Sequence, residues 1–201
     1  TQFYYNFEPR FSAKYSLKDN FSLKSSYTRM NQYLHLVSNS GASLPTDIWY
    51  PSTKNVLPEV SDQVALGGTY VINDKWLISN EVFYKWLGNQ IDFRDGANLF
   101  VNNNLEAEFV YGTGRSYGNE FYVERKKGKF TGWVGYTLSK SEREFDQLNR
   151  GEVFPAKYDR RHDLSIVASY DLSKRITIGS VWVYSSGAKF TAQVGQYFVP
   201  N

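Results

Sequence analysis

The chain has 201 residues, 17% of them aromatic, and a formal net charge of +3, which is too small to argue for a nucleic-acid partner. It contains no cysteine and only two widely separated histidines, which excludes disulfides and thiolate metal sites and argues against zinc, so no cofactor is predicted. No run of apolar residues is long enough for a transmembrane helix, but mean hydropathy does not exclude a membrane barrel, whose strands show lipid only alternate residues.

The first predicted element is a β-hairpin. Apolar and polar residues alternate from Phe11 to Leu17, Lys18-Asp19-Asn20 has turn composition, and a long second strand is predicted from Phe21 to about Val37. Side chains that alternate in this way point to opposite faces of a sheet, so one face is apolar and the other polar.

Residues 38–60 contain three prolines and no periodicity, and we predict a long loop there. Trp49 and Tyr50 lie in this loop. Exposed loop aromatics stack on sugars or planar chelates, but they also pack loops onto the underlying fold, and the sequence leaves both readings open. We take both residues as candidate ligand contacts.

The same alternation recurs in three further hairpins with short polar turns. The second hairpin pairs Val64–Ile72 with Trp76–Trp86 through a turn at 73–75. The third pairs Arg115–Lys126 with Lys129–Phe145 through a turn at 127–128. The fourth pairs Asp163–Asp171 with Ile176–Tyr184 through a turn at 172–174.

Long irregular stretches, 93–114 and 146–157, separate these hairpins. Short and long connections therefore alternate, which places all short turns at one end of the sheet and all long loops at the other. Asp92, Arg94 and Arg115 flank the second loop, and we expect them to line the entrance of a lumen and to be candidate ligand contacts.

Strand length and aromatic placement favour a transmembrane barrel over a soluble sandwich. Several predicted strands extend over about 12–17 residues, beyond the mode of about 5–6 in soluble sheets and past the 9–11 that cross a bilayer. Tyr and Trp fall near the strand ends on the apolar face, as membrane-interface girdles require. These aromatics are Tyr15, Tyr70, Trp76, Tyr84, Trp86, Tyr136, Tyr170, Trp182 and Tyr184. The predicted fold is all-β, an antiparallel transmembrane β-barrel.

Charged residues on the opposite face are candidates for lumen or plug contacts. They are Lys14, Glu81, Lys85, Glu120 and Glu124. Neither chain end has the pattern of a natural start or finish, so we expect residues 1–201 to be part of one larger barrel domain.

The sequence predicts no catalytic site. His162, Asp163 and Ser165 invite comparison with a hydrolytic triad, but all three lie within four residues of one extended strand, where adjacent side chains diverge. We predict that the chain is not an enzyme.

Three segments resemble TonB-dependent outer-membrane receptors. They are SYTRMNQYLHL (26–36), GRSYGNEFYVERKKGKFTGWVGYTLSKSEREF (114–145) and FPAKYDRRHDLSIVASYDL (154–172). The resemblance covers nearly the whole chain, which is similar to the C-terminal half of the receptor barrel. It implies that the chain contains about eight of 22 barrel strands. The plug, the energy-coupling box and the terminal aromatic strand of that family are absent from these 201 residues.

The resemblance implies a location in the outer membrane of a Gram-negative bacterium, with short periplasmic turns and long extracellular loops. It implies import of a scarce nutrient (siderophore, cobalamin, glycan or peptide) through a plug-gated lumen. The implied partners are outer-membrane lipid, the receptor's own plug and the TonB energy-transducing complex, and a surface lipoprotein partner is left open. Three alternatives stay open: a small closed eight-stranded barrel with a structural or adhesive role, an outer-membrane hydrolase, and a soluble lipocalin-like binder.

Overall fold

The computed structural model describes residues 2–37, 48–97, 102–187 and 189, and most of them lie in β-strands. No helix in these ranges is long and apolar enough to cross a membrane. The strands are β1 Arg10–Lys18, β2 Phe21–Gln32, β3 Leu34–Val37, β4 Ile48–Pro51, β5 Glu59–Ile72, β6 Trp76–Phe93, β7 Phe109–Arg125, β8 Phe130–Glu144, β9 Phe154–Pro155, β10 His162–Ser173 and β11 Ile176–Ser185.

One antiparallel sheet contains eight of these strands in the order β1-β2-β5-β6-β7-β8-β10-β11, and β9 pairs with the end of β8. The four predicted hairpins are confirmed. Within the described residues β1 and β11 are edge strands that do not pair with each other, so the sheet is open, as expected for part of a larger barrel. β3 and β4 form a separate two-stranded sheet.

The prediction of one continuous strand from Phe21 to Val37 is wrong. β2 ends at Gln32, and β3 leaves the main sheet to pair with β4. The break lies at Tyr33, whose carbonyl accepts a hydrogen bond from the Ser52 amide (2.8 Å) instead of continuing the main ladder. The turn back is favourable because β3 buries Val37, which is fully inaccessible to solvent.

The second loop is shorter than the predicted 93–114, because β6 continues to Phe93 and β7 begins at Phe109. Close strand contact in this extension depends on Gly112. A Cβ atom there would lie 2.2 Å from the Glu144 carbonyl oxygen, so a larger residue would push β7 and β8 apart.

Strand registers place all nine predicted interface aromatics on one face, the apolar face. Directly paired residues share a face, and Tyr84 pairs with Tyr117 while Trp76 pairs with Arg125. Trp76 and Trp86 are ten residues apart on β6. At about 3.4 Å per residue and a tilt of about 40° they are separated by roughly 25 Å along the barrel axis, the height of a membrane-facing apolar band.

Apolar side chains between the two aromatic rows are exposed. Leu66 is 58% exposed and Val82 is 46% exposed. A sheet face of this length that is both apolar and uncovered is typical of a surface in contact with lipid.

The five predicted lumen charges lie on the other face, the polar face. Glu81 and Glu120 are direct cross-strand partners between β6 and β7. Like charges directly opposite each other are unfavourable in an isolated sheet, so this pair favours a cation or a hydrated lumen in front of it.

Candidate functional site at the long-loop end

The long-loop end carries the well-packed core of the described structure. Its larger cluster joins the two-stranded sheet to the ends of β6 and β7, through Val37, Val56, Ile91, Phe93 and Phe109. The Tyr50 ring packs edge-on against Phe109, with centroids 4.9 Å apart. Residues 48–56 of the first loop are therefore fixed to the barrel wall.

A β-bulge explains why this cluster lies where it does. The β6–β7 register shifts between Leu87 and Gln90, and Asn89 takes a left-handed φ of 54°. The extra residue reverses the alternation of β6, so Ile91 and Phe93 continue the apolar face above the aromatic row. Those side chains lie beyond the apolar band, and the β3–β4 sheet covers them.

The carboxylate of Glu106 connects the first two long loops. It accepts hydrogen bonds from Tyr50 Oη (3.0 Å), Thr53 Oγ1 (2.7 Å) and Asn55 Nδ2 (2.6 Å). The hydrogen bond from Asn55, and then that from Thr53, hold the pKa of Glu106 below its ordinary value. Glu106 is therefore a charged clamp between residues 48–56 and the turn Leu105–Glu108.

Arg94 is held by Glu108 in a two-pronged ion pair. Its Nε and Nη2 atoms lie 2.7 and 3.0 Å from the two carboxylate oxygens. This pairing raises the pKa of Arg94. The Arg94 side chain is still 55% exposed, so it remains accessible as a fixed positive charge at the loop surface.

Asp92 is only 2% exposed, and its carboxylate accepts a hydrogen bond from the Phe93 amide at 2.8 Å. Arg143 Nη1 approaches the same side chain at 4.0 Å. Because of the β6 bulge, Asp92 is directed to the polar face. This burial makes it a support of the strand end in the described structure.

Arg115 lies on the apolar face, directly paired with Trp86, and not at the lumen entrance where we expected it. Its Nε atom contacts Glu142 Oε2 at 2.9 Å, and Lys140 also contacts that carboxylate. Arg29, Arg115 and Glu142 border an open cleft of about 530 Å³ at the upper aromatic row.

Trp49 is the predicted loop aromatic that stays accessible, with 60% exposure, beside the packed Tyr50. The two readings of these aromatics therefore separate: Tyr50 packs the loop, and Trp49 presents a free ring. Of the predicted ligand contacts, Trp49 and Arg94 are the two whose side chains are exposed at the long-loop end.

Sequence reasoning missed Glu106 and Glu108, and it considered His35 only as a candidate of the rival hydrolase, not as a core residue. His35 is fully inaccessible, with Nε2 2.8 Å from Ser52 Oγ and Nδ1 3.7 Å from Glu59 Oε1. The one available signal was the alternation of apolar residues through Leu34, His35 and Leu36, which continues a strand pattern. The partners of Glu106 come from a different loop and have no sequence signature.

The residues of the suggested triad have separate partners. His162 Nδ1 lies 2.8 Å from Tyr136 Oη on the apolar face, and Asp163 Oδ2 accepts from Ser185 Oγ (2.7 Å) on the polar face. Within the described ranges no three His, Cys, Asp or Glu residues lie close enough together to hold a metal ion.

No family model matches the chain, and no curated protein matches it at a significant level. Solved structures do match. The ferric-catecholate import receptor Fiu from E. coli K12 aligns with 89% of this chain at 16% identity and a TM-score of 0.59. FpvAI, solved in complex with pyocin S2, aligns with 87% at 17% identity and a TM-score of 0.60. The FrpB iron transporter from Neisseria meningitidis aligns with 87% at 15% identity and a TM-score of 0.59.

The chain has the fold of a TonB-dependent receptor barrel. It spans 22–26% of the length of these three receptor chains. In a barrel of this fold the apolar face of the sheet contacts lipid and the polar face lines the lumen. The long-loop end described above lies at one rim of a barrel with this fold.

Proposed function

We propose that the chain is a segment of an outer-membrane receptor that binds a scarce nutrient at its long loops and imports it through a plug-gated lumen. Its residues 1–201 are proposed as part of one barrel domain. The observation that carries this proposal is the alignment of about nine-tenths of the chain with receptor barrels, two of which are named for iron import or transport. An iron chelate is therefore the first ligand to test, before cobalamin, glycans and peptides.

The loop geometry supports a ligand role for the long-loop end. The clamp at Glu106 and the Tyr50–Phe109 contact hold residues 48–56 against residues 105–109, and such a fixed framework lowers the entropy lost on binding. On that framework Trp49 supplies a stacking surface and Arg94 a fixed cation. An exposed aromatic ring and a fixed cation at the same end of the barrel suit an anionic, planar ligand such as a metal chelate.

The polar face supports a plug in the lumen. Glu81 and Glu120 face each other across β6 and β7. Among the described residues neither carboxylate has an ion pair within 4 Å. Basic side chains of a plug are proposed as their partners, with Lys14, Lys85 and Glu124 as further contacts. Coupling to an inner-membrane TonB complex follows from the same proposal.

Uptake in the native host tests the proposal. A strain lacking the gene is compared with the wild type for uptake of labelled ferric chelates, cobalamin, oligosaccharides and peptides, with and without a protonophore. We expect one class of ligand to be lost, and its uptake in the wild type to stop when the proton gradient is removed. Unchanged uptake of every class would contradict an import role.

The ligand site is tested by complementation. Trp49→Ala is expected to weaken binding of the identified ligand by about tenfold, since stacking on an aromatic ring is worth roughly 1 kcal/mol or more. Leu57→Ala is the matched control, because Leu57 is a loop residue of similar exposure (49%) outside the proposed site. Equal affinities of both variants would remove Trp49 from the site.

A further inference from the structure

The short turns of the sheet carry a concentration of positive charge that the import proposal does not use. We define the short-turn rim as residues 18–20, 73–75, 125–129 and 174–175, the four short connections together with Lys18, Arg125 and Lys129 at their edges. It contains eight of the chain's 23 Lys and Arg residues and only two acidic residues. The acidic neighbours Glu124 and Asp171 lie just inside the strands, and counting them still leaves an excess of four positive charges.

The turns are joined in one row, so these charges act together. The Lys126 amide donates to the Lys75 carbonyl, and the Asp171 amide donates to the Lys129 carbonyl, both at 2.8 Å. Strands about 4.8 Å apart place neighbouring hairpin turns roughly 10 Å apart, close to the screening length at physiological salt.

Almost all of this charge lacks an internal partner. Within the described residues, Lys126 is the single rim cation with a carboxylate oxygen within 4 Å, and its Nζ atom lies 3.8 Å from Glu124 Oε2. The rim lysines are exposed. Unpaired, clustered and exposed cations favour an external anion.

Arg125 fixes the depth of the rim relative to the membrane. Its guanidinium lies 5.3 Å from the Trp76 ring centroid and 5.9 Å from that of Phe130, both on the apolar face. Interface aromatics lie at the level of lipid headgroups, so Arg125 and the adjacent lysines lie at the level of the phosphates. A guanidinium can bind a phosphate with two parallel hydrogen bonds.

We propose that the short-turn rim binds the phosphate headgroups of anionic glycerophospholipids in the leaflet that surrounds it, with Arg125 as the central contact. The occupant is a lipid because the cations continue directly from the lipid-facing aromatic row. This inference rests on the barrel fold and is independent of the imported ligand, so its failure would leave the import proposal untouched.

The test uses the full-length protein in neutral detergent, with native mass spectrometry of bound phosphatidylglycerol and of phosphatidylcholine with the same acyl chains. We expect phosphatidylglycerol to be retained preferentially. Each cation near an anionic surface contributes about fivefold in affinity, so the triple variant K127Q/K129Q/K174Q is expected to lose at least about tenfold of that preference. The matched control K54Q/R150Q/R160Q removes three exposed charges from the long-loop end and is expected to keep it.

Two results would overturn the proposal. One is equal retention of both lipids by the wild type, or equal loss in the two triple variants. The other is displacement of phosphatidylglycerol by the soluble headgroup glycerophosphoglycerol at the same concentration, which would identify a phosphate site without a lipid. Heat-dependent gel mobility establishes that each variant is folded before lipids are added.

Discussion

Placing an arginine on one face or the other of a single strand tests the assignment of the two faces. Ser25 and Ser26 are adjacent on β2, and their side chains point to opposite faces of the sheet. Ser25 pairs with Leu66 on the apolar face, whereas Ser26 pairs with Ala65 on the polar face. Ser25→Arg and Ser26→Arg therefore add the same charge at nearly the same depth.

The magnitude follows from the depth of Ser25. It is four residues from Phe21, at the lower aromatic row, and four from Arg29, which is in register with Trp86 of the upper row through Asp62. Four residues correspond to about 10 Å along the barrel axis at a strand tilt of about 40°, so Ser25 lies near the middle of the apolar band. An arginine facing lipid at the midplane costs about 2–4 kcal/mol, or about 30- to 700-fold in the folding equilibrium.

The assay is equilibrium refolding of the full-length protein from urea into phosphatidylcholine vesicles, followed by gel mobility of the folded barrel. We expect Ser25→Arg to lose the calculated stability and Ser26→Arg to lose much less. Lys14 and Lys24 lie on the same face as Ser26 and would mildly repel an arginine there, so Ser26→Arg is itself expected to lose a little stability. A much larger loss for Ser25→Arg therefore has to come from its contact with lipid. Equal losses, or a greater loss for Ser26→Arg, would refute the assignment of faces.

Two further predictions concern the loop clamp and a close strand contact. Glu106→Gln removes a charged acceptor of hydrogen bonds from Thr53 and Asn55, and hydrogen bonds to a charged group are worth about 1.5–3 kcal/mol. We therefore expect the rate of amide hydrogen exchange in β3 and β4 to rise by about tenfold. Glu152→Gln, a substitution at an exposed loop residue, is the control. Because the pKa of Glu106 is lowered on folding, its stabilisation is present above the unfolded pKa of about 4.3 and is lost as pH falls below it, and Glu106→Gln should abolish this dependence. Gly132 has φ 151°, and a Cβ atom there would lie 2.2 Å from the Val167 carbonyl oxygen. We therefore expect Gly132→Ala to lower the free energy of unfolding by about 1–3 kcal/mol in the same refolding assay. Gly179→Ala, whose Cβ would meet its nearest atom at 4.0 Å, should be close to neutral, and similar losses for both would contradict the steric explanation.

The main sheet could be predicted from sequence because it is encoded locally. Alternation with period two fixes which residues share a face, and short polar segments such as Asn73-Asp74-Lys75 fix the turns. Asn73 and Asp74 indeed have positive φ values of 50° and 51°. The same parity would have placed Arg115 correctly, since it shares the odd-numbered face of β7 with Tyr117 and Phe121.

The long-loop end could not be predicted in the same way. The bulge after Leu87 reverses the parity of β6 and sends Asp92 to the polar face, and one inserted residue leaves no clear trace in composition. The clamp at Glu106 combines residues about 50 positions apart, so only the tertiary structure brings them together. Long-range pairings of this kind determine the candidate site.

Cysteine labelling tests the orientation of the barrel, in which we propose that the long loops face the cell surface and the short turns face the periplasm. The 201 residues contain no cysteine, so single cysteines can be introduced cleanly at Lys54 in a long loop and at Lys127 in a short turn. Each full-length variant is treated with a bulky polyethylene-glycol maleimide on intact cells and after the outer membrane is opened, with the unchanged protein as the blank. We predict that Lys54→Cys reacts on intact cells and that Lys127→Cys reacts only after the outer membrane is opened. Labelling of Lys127→Cys on intact cells, with Lys54→Cys protected, would contradict it.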